Sequence, residues 1–223
     1  MLEEYPGVYR DRWGEEKIVV QNDGTDLHMT LRGVEFWGHD ISGMEPRDKA
    51  ERPELAPFVL NRYPYEAADL CACAIDYEMI LPISDHGRLT TGRLAIHAEL
   101  GEPAERGMLD REFLRLALTI GDETYQGSGT SGWFEDELLE IQVALPDAVY
   151  MQACINYAFS DYSVYGHALF GNMPCFRDQK AAYLAVRDKD GYMDMMDGFT
   201  EMAQETYLCI EFERRKPGTG YRG

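Results

Sequence analysis

The sequence predicts an α+β protein, β-rich and mainly antiparallel, with sandwich-like sheets and one or two C-terminal helices packed on them. Three observations carry this reading. Apolar residues alternate at period two through most of the chain, turn-forming residues separate the alternating runs, and helical spacing of large apolar residues appears only late. A single domain over residues 1–223 is expected, with segment 154–213 as a subdomain.

The first strand signal is Lys17-Ile18-Val19-Val20, followed by Asn22-Asp23-Gly24 and then Leu27, Met29 and Leu31 at period two. Strand, Asp-Gly turn and strand together predict a hairpin. Arg32 to Trp37 continues or pairs with it. Between Gly43 and Pro64 four prolines (46, 53, 57 and 64) stand among charges, which blocks a sustained helix or central strand and predicts a long surface connection. Cys71, Cys73, Ile75, Tyr77 and Met79 then alternate, as do Leu94, Ile96 and Ala98, and each run predicts a strand with one buried face. Leu114, Leu116, Leu118 and Ile120 predict another.

Gly127-Ser128-Gly129-Thr130-Ser131-Gly132 reads as a flexible loop. A second hairpin is expected after it, from Leu139, Ile141, Val143 and Leu145 through Pro146-Asp147 to Val149, Met151, Ala153, Ile155, Tyr157 and Phe159. Asp178 is placed to cap a short helix through Val186. Tyr192, Met195, Met196, Phe199 and Met202 recur at helical spacing, with Asp194, Asp197, Glu201 and Glu205 along another face. Leu208, Ile210 and Phe212 predict a last strand.

Composition narrows the function classes. A chain that is 45% hydrophobic and 12% aromatic has enough apolar surface for a sizeable core. Forty acidic against 21 basic side chains leave a formal charge of −19, which repels phosphate backbones and argues against nucleic-acid binding. No window approaches the roughly 18 consecutive apolar residues that cross a bilayer, and the start has neither a basic nor an apolar leader region. Five cysteines, an odd set, suit reduced thiols and a cytoplasmic location better than a disulfide scaffold.

No local motif assigns a reaction. The Gly/Ser loop lacks the Gly-Lys-Ser/Thr ending of a phosphate-binding loop and does not match Gly-x-Ser-x-Gly. The five histidines form no His-x-x-x-His pair; His28 and His97 fall on the polar phase of strands, and Ser160-Asp161 with His167 is only a triad on paper. Cys154, Cys175 and Cys209, with His167, have the residue types of a Cys₃His zinc site but not the Cys-x-x-Cys spacing, so buried thiols are the preferred reading and no cofactor is expected. Asp161, Tyr162, Tyr165 and His167 form the cluster where a small ligand would bind if the protein were an enzyme. Asp194, Asp197, Glu201 and Glu205 are read mainly as a solvated face, and otherwise as a surface for a basic protein partner.

The stretch Phe159-Ser160-Asp161-Tyr162-Ser163-Val164-Tyr165-Gly166, with Phe170-Gly171, Cys175-Phe176-Arg177, Gln204-Glu205-Thr206-Tyr207-Leu208-Cys209 and Glu211-Phe212-Glu213, resembles an uncharacterised bacterial family, a domain of unknown function. The N-terminal Gly-Val-Tyr-Arg-Asp-Arg-Trp-Gly is compatible with it. The resemblance implies no activity. It does imply that relatives carry a Cys-x-x-Cys pair before Phe-Ser-Asp-Tyr, part of a four-thiolate site. Here Tyr157 stands at the second cysteine position, so the implied site is incomplete, and a degenerate site filled by Tyr157 is the preferred reading. The function expected is that of an acidic binding protein, of the kind that inhibits a basic partner as an immunity protein does. The alternatives are an enzyme with its site in the 160–177 loop and a protein with structural zinc.

Overall fold

The computed structural model describes residues 2–63, 67–162, 170 and 173–221. Its class is the expected one, antiparallel β-structure with a few helices that fall mostly toward the C-terminus. Strands β1 (Glu3–Asp11) and β2 (Gly14–Asn22) open the chain as a hairpin, paired without a gap from Glu3↔Asn22 to Asp11↔Gly14. The Asn22-Asp23-Gly24 turn follows, and Asp23 Oδ1 closes it by accepting the N–H groups of Thr25 and Asp26 at 2.9 and 2.8 Å. It leads to β3 (Leu27–Leu31), which pairs along its length with β4 (Val34–Gly38); β4 then pairs with the short β5 (Glu45–Pro46). In the proline-rich connection only one short helical turn forms before β6 (Val59–Tyr63) and β7 (Ala67–Cys71) make a separate two-stranded sheet.

The alternation puts Cys71 and Cys73 in one strand, but Ala72 adopts φ +53° and divides it. Past that kink β8 (Cys73–Asp85) runs in the main sheet, while β7 swings to the far edge, where Leu70 N–H donates to the Met44 carbonyl at 2.7 Å. The sheet therefore curls back toward itself. Strand β8 pairs in full with β9 (Arg88–Leu100) around a His86-Gly87 turn whose two residues both have positive φ, the arrangement of a type I′ hairpin. After β10 (Glu112–Ile120) and β11 (Glu123–Gln126), the main sheet reads β11-β10-β9-β8-β1-β2-β3-β4-β5, ten strands with β12 (Val149–Met151) added on β8. Its inner face carries Ile75, Tyr77, Leu94, Ile96, Leu114, Leu116 and Leu118, all almost fully buried, and each such aliphatic side chain contributes roughly 1.5–3 kcal/mol through burial. Gly7 is needed where β1 lies on β8, because a Cβ there would sit 2.3 Å from the Asp76 carbonyl oxygen.

Four expected elements differ. Residues 134–144 form helix α1 (Phe134–Ala144), not a strand. Its buried apolar set, Phe134, Leu138, Ile141 and Leu145, has helical spacing, whereas Val143 of the period-two set is 87% exposed. Glu135, Asp136 and Glu137 in the first turn suit a helix N-terminus. The expected return strand survives only as β12: Ala153, Cys154 and Ile155 are buried consecutively, as are Tyr157 to Asp161, which no two-faced strand permits.

The expected helix through Met202 breaks up. After β13 (Met173–Cys175) and helix α2 (Lys180–Ala185), helix α3 (Lys189–Met195) is capped by Asp188, which accepts Gly191 N–H at 2.9 Å. A single tight turn ends it near Gly198, and β14 (Glu201–Ala203) pairs with β13. Asp178 does not cap α2. Residues 208–212 are not a strand, and Ile210 stands 99% exposed. The C-terminal segment packs a second, smaller core around Tyr157, Phe159, Phe176, Tyr183 and Tyr192, separate from the core beneath the sheet.

Candidate functional site

The structure brings the three C-terminal thiols together. Cys154 lies in a tight turn whose N–H donates to the Tyr207 carbonyl at 2.8 Å, and Ile155 N–H donates to that of Glu205 at 2.9 Å, which lays the 205–209 strap beside it. Cys175 ends β13, joined to the same place by its bridge to Ser160 and by Phe176 N–H on the Phe159 carbonyl at 2.7 Å. All three are buried and free. Burial first, then the charge each would place on the others, raises the Cys154 thiol; burial also raises Cys175. Tyr157 is fully buried beside them, its phenol pushed up to about 12 by burial and its hydroxyl without a hydrogen-bond partner.

Among the described residues no three His, Cys, Asp or Glu side chains are arranged to hold a metal. Arg177, which also pairs with Glu201 at 2.7 Å, bonds Cys209, and the buried Tyr157 phenol feels the charge that Cys209 and Cys175 would carry. His167 and Tyr165 lie outside the described residues. Protein purified without added metal is expected to carry substoichiometric zinc, and elemental analysis of wild type and Cys175→Ser checks this; one zinc per chain that the substitution removes would refute it.

The other predicted residues are mostly structural in their contacts. Asp161 is 1% exposed and accepts the Tyr183 hydroxyl at 2.6 Å and Tyr162 N–H at 2.8 Å. Arg215 donates to the Tyr183 hydroxyl at 2.9 Å, to the Tyr157 carbonyl at 3.0 Å and to the Ser160 carbonyl. The Tyr192 hydroxyl holds the Tyr162 carbonyl at 2.5 Å. These bonds pin the chain before the 163–169 segment rather than open a cleft. The acidic stripe dissolves with its helix: Asp194 and Asp197 are exposed, Glu201 sits on β14 in its pair with Arg177, and Glu205 is buried.

The Gly/Ser loop cradles an anion, but one supplied by the protein. Glu137 of α1, fully buried, accepts Gly129 N–H at 2.8 Å, Ser131 N–H at 3.2 Å and the Ser131 hydroxyl at 2.8 Å, while Glu140 takes Ser128 N–H at 2.6 Å. No room is left there for a phosphate: a Cβ on Gly127 would stand 2.1 Å from Glu137 Oε2.

The feature missed in the sequence is the outer face of the central strands. A solvent-open trough of about 670 Å³ crosses β2, β1, β8, β9 and β10. Its floor follows two cross-strand rows. Lys17, Val8, Asp76, His97 and Arg115 are successive partners in one. Val19 with Pro6, and Ala95 with both Glu78 and Ala117, make the other, largely apolar. Beyond Lys17 and Val19 the trough continues into a second groove of about 450 Å³ over β3 and β4, with His28, Trp37 and Arg47.

His97 bonds Asp76 through Nδ1 at 2.7 Å and Glu99 through Nε2 at 3.1 Å, and Arg10 and Arg111 take the outer oxygens of those carboxylates. Neither ring nitrogen is open to a substrate, so this histidine is not arranged as a general base. The signal that could have found the trough is the presence of Val8, Val19, Ala95 and Ala117 on the polar phase of their strands.

A model for a family of unknown function, DUF6304, matches residues 3–160, well over half of the chain. The chain belongs to DUF6304. No curated protein and no solved structure matches it. The DUF6304 match takes in the whole main sheet, α1 with its Gly/Ser loop, and every residue lining the trough, and it ends within the C-terminal assembly, after Tyr157, Phe159 and Ser160 and before Asp161 and Cys175. No helix is long and apolar enough to cross a membrane among the described residues.

Proposed function

We propose that the protein is a non-catalytic binding module whose contact surface is the outer face of its central strands. The observation that carries this reading is the trough itself. Antiparallel sheets commonly show solvent one polar face, but this face groups Pro6, Val8 and Val19 on β1 and β2 and pairs the half-buried Ala95 and Ala117 on β9 and β10, with Val19 46% exposed. Apolar side chains on an exposed sheet face, rimmed by charge, suit the composition of an interaction site.

A second reading, a basic partner covered by an acidic surface in the manner of an immunity protein, is supported by the net charge of −19, which would speed such an encounter. The stripe meant to carry it does not share one face, and the outer sheet face is therefore preferred. Capture by the immobilised full chain tests both. A partner bound through the trough is expected with wild type and Asp194→Lys and lost with Val19→Glu and Ala95→Glu, all variants keeping the wild-type melting temperature. Retention by the sheet variants overturns the proposal, and loss with Asp194→Lys in its place favours the acidic surface.

A further inference from the structure

We infer that the trough receives an extended polypeptide segment of a partner that carries two carboxylates about six residues apart with apolar side chains between them. This deepens the reading of the outer face as a binding surface and rests on it.

Charge distinguishes the ends of the trough from its middle. The chain has nearly two acidic residues for each basic one, and a cation of the trough that no carboxylate of the chain holds is open to one from a partner. Among the described residues Lys17 and Arg115 form no ion pair, and Arg115 stacks instead on Phe113 at 5.2 Å. The acids between them are already matched: Asp76 meets Arg10 and His97, and Glu78 lies 3.9 Å from Arg93. The two ends of the trough are therefore positive while its middle is balanced.

Register fixes the spacing. Lys17 and Arg115 end one cross-strand row, on β2 and β10, which are four strand intervals apart in the sheet order. At about 4.8 Å per interval they stand roughly 19 Å apart. An extended chain advances about 3.3 Å per residue, so roughly six residues span that distance. Lying across the strands, such a segment sets its carboxylates over Lys17 and Arg115 and its apolar side chains over the Val19, Pro6, Ala95 and Ala117 row. Those carboxylates would gain charge-assisted hydrogen bonds that the protein's own acids do not occupy.

The test is a display library of random 12-residue peptides selected on the full chain, with the enriched peptides then synthesised and titrated. Enrichment of Asp or Glu pairs five to seven positions apart around apolar residues is expected. Affinity should fall about tenfold or more in the Lys17→Glu, Arg115→Glu double variant and be lost in Val19→Glu. Basic or neutral selected peptides that are lost with Val19→Glu would overturn this inference and leave the binding face standing. Peptides indifferent to Val19→Glu, or no enrichment, would overturn both.

Discussion

Replacing Glu137 with alanine is expected to lower the unfolding free energy by about 3 kcal/mol, the cost of leaving buried donors without their charged acceptor. The carboxylate ties Gly129 and Ser131 to the first turn of α1, and no water-facing alternative exists for a fully buried group. Urea unfolding should show a lower midpoint with an unchanged slope. Glu137→Gln keeps an acceptor oxygen and should cost less than half as much. Val143→Ala, on the exposed side of the same helix, should change stability by under about 0.5 kcal/mol. Equal stability of Glu137→Ala and wild type would mean that the loop is not held by this side chain.

Arg215→Ala is expected to destabilise the C-terminal assembly by about 2–4 kcal/mol. One guanidinium serves the Tyr183 hydroxyl and the carbonyls of Tyr157 and Ser160, so its loss frees Asp161, Tyr157 and Cys175 together. Lysine has no planar fork and should not restore it. The effect is local, which gives it a distinctive readout. Cys175, in the smaller core, should become reactive toward a thiol reagent under native conditions, while Cys71, Cys73 and Cys154, packed in the core beneath the sheet, stay slow. Uniform exposure of all five would show that the two cores do not open separately.

What was legible in the sequence follows the type of element. In β8, β9 and β10 one face is buried continuously, so period two is written into Ile75 to Met79, Leu94 to Ala98 and Leu114 to Leu118 and reads correctly. Helix α1 was misread because Leu139, Ile141, Val143 and Leu145 happen to alternate. The deciding facts, that Val143 is exposed and Glu137 buried, depend on the Gly/Ser loop folding over the helix. The Met-rich helix was cut short by tertiary pairing: Glu201 to Ala203 meet Met173 to Cys175 across β13 and β14, a contact nearly 30 residues apart in sequence that local spacing does not contain. Residue type alone reads Cys154, Cys175 and Cys209 as buried thiols, and they are buried with Tyr157, but the strap of residues 205–209 that bonds Cys154 and Ile155 belongs to the packing. The trough was invisible for a different reason. Its Lys17-to-Arg115 row draws on five strands, and only their register puts those residues side by side.

Hydroxyl-radical footprinting of the full chain, free and saturated with a captured partner or selected peptide, tests the outer face most directly. Pro6, Val8 and Val19 are expected to lose reactivity on binding, while Val143 and Ile210, exposed elsewhere, keep theirs. Protection at Val143 or Ile210 with none at Val8 and Val19 would contradict the assignment of binding to this face.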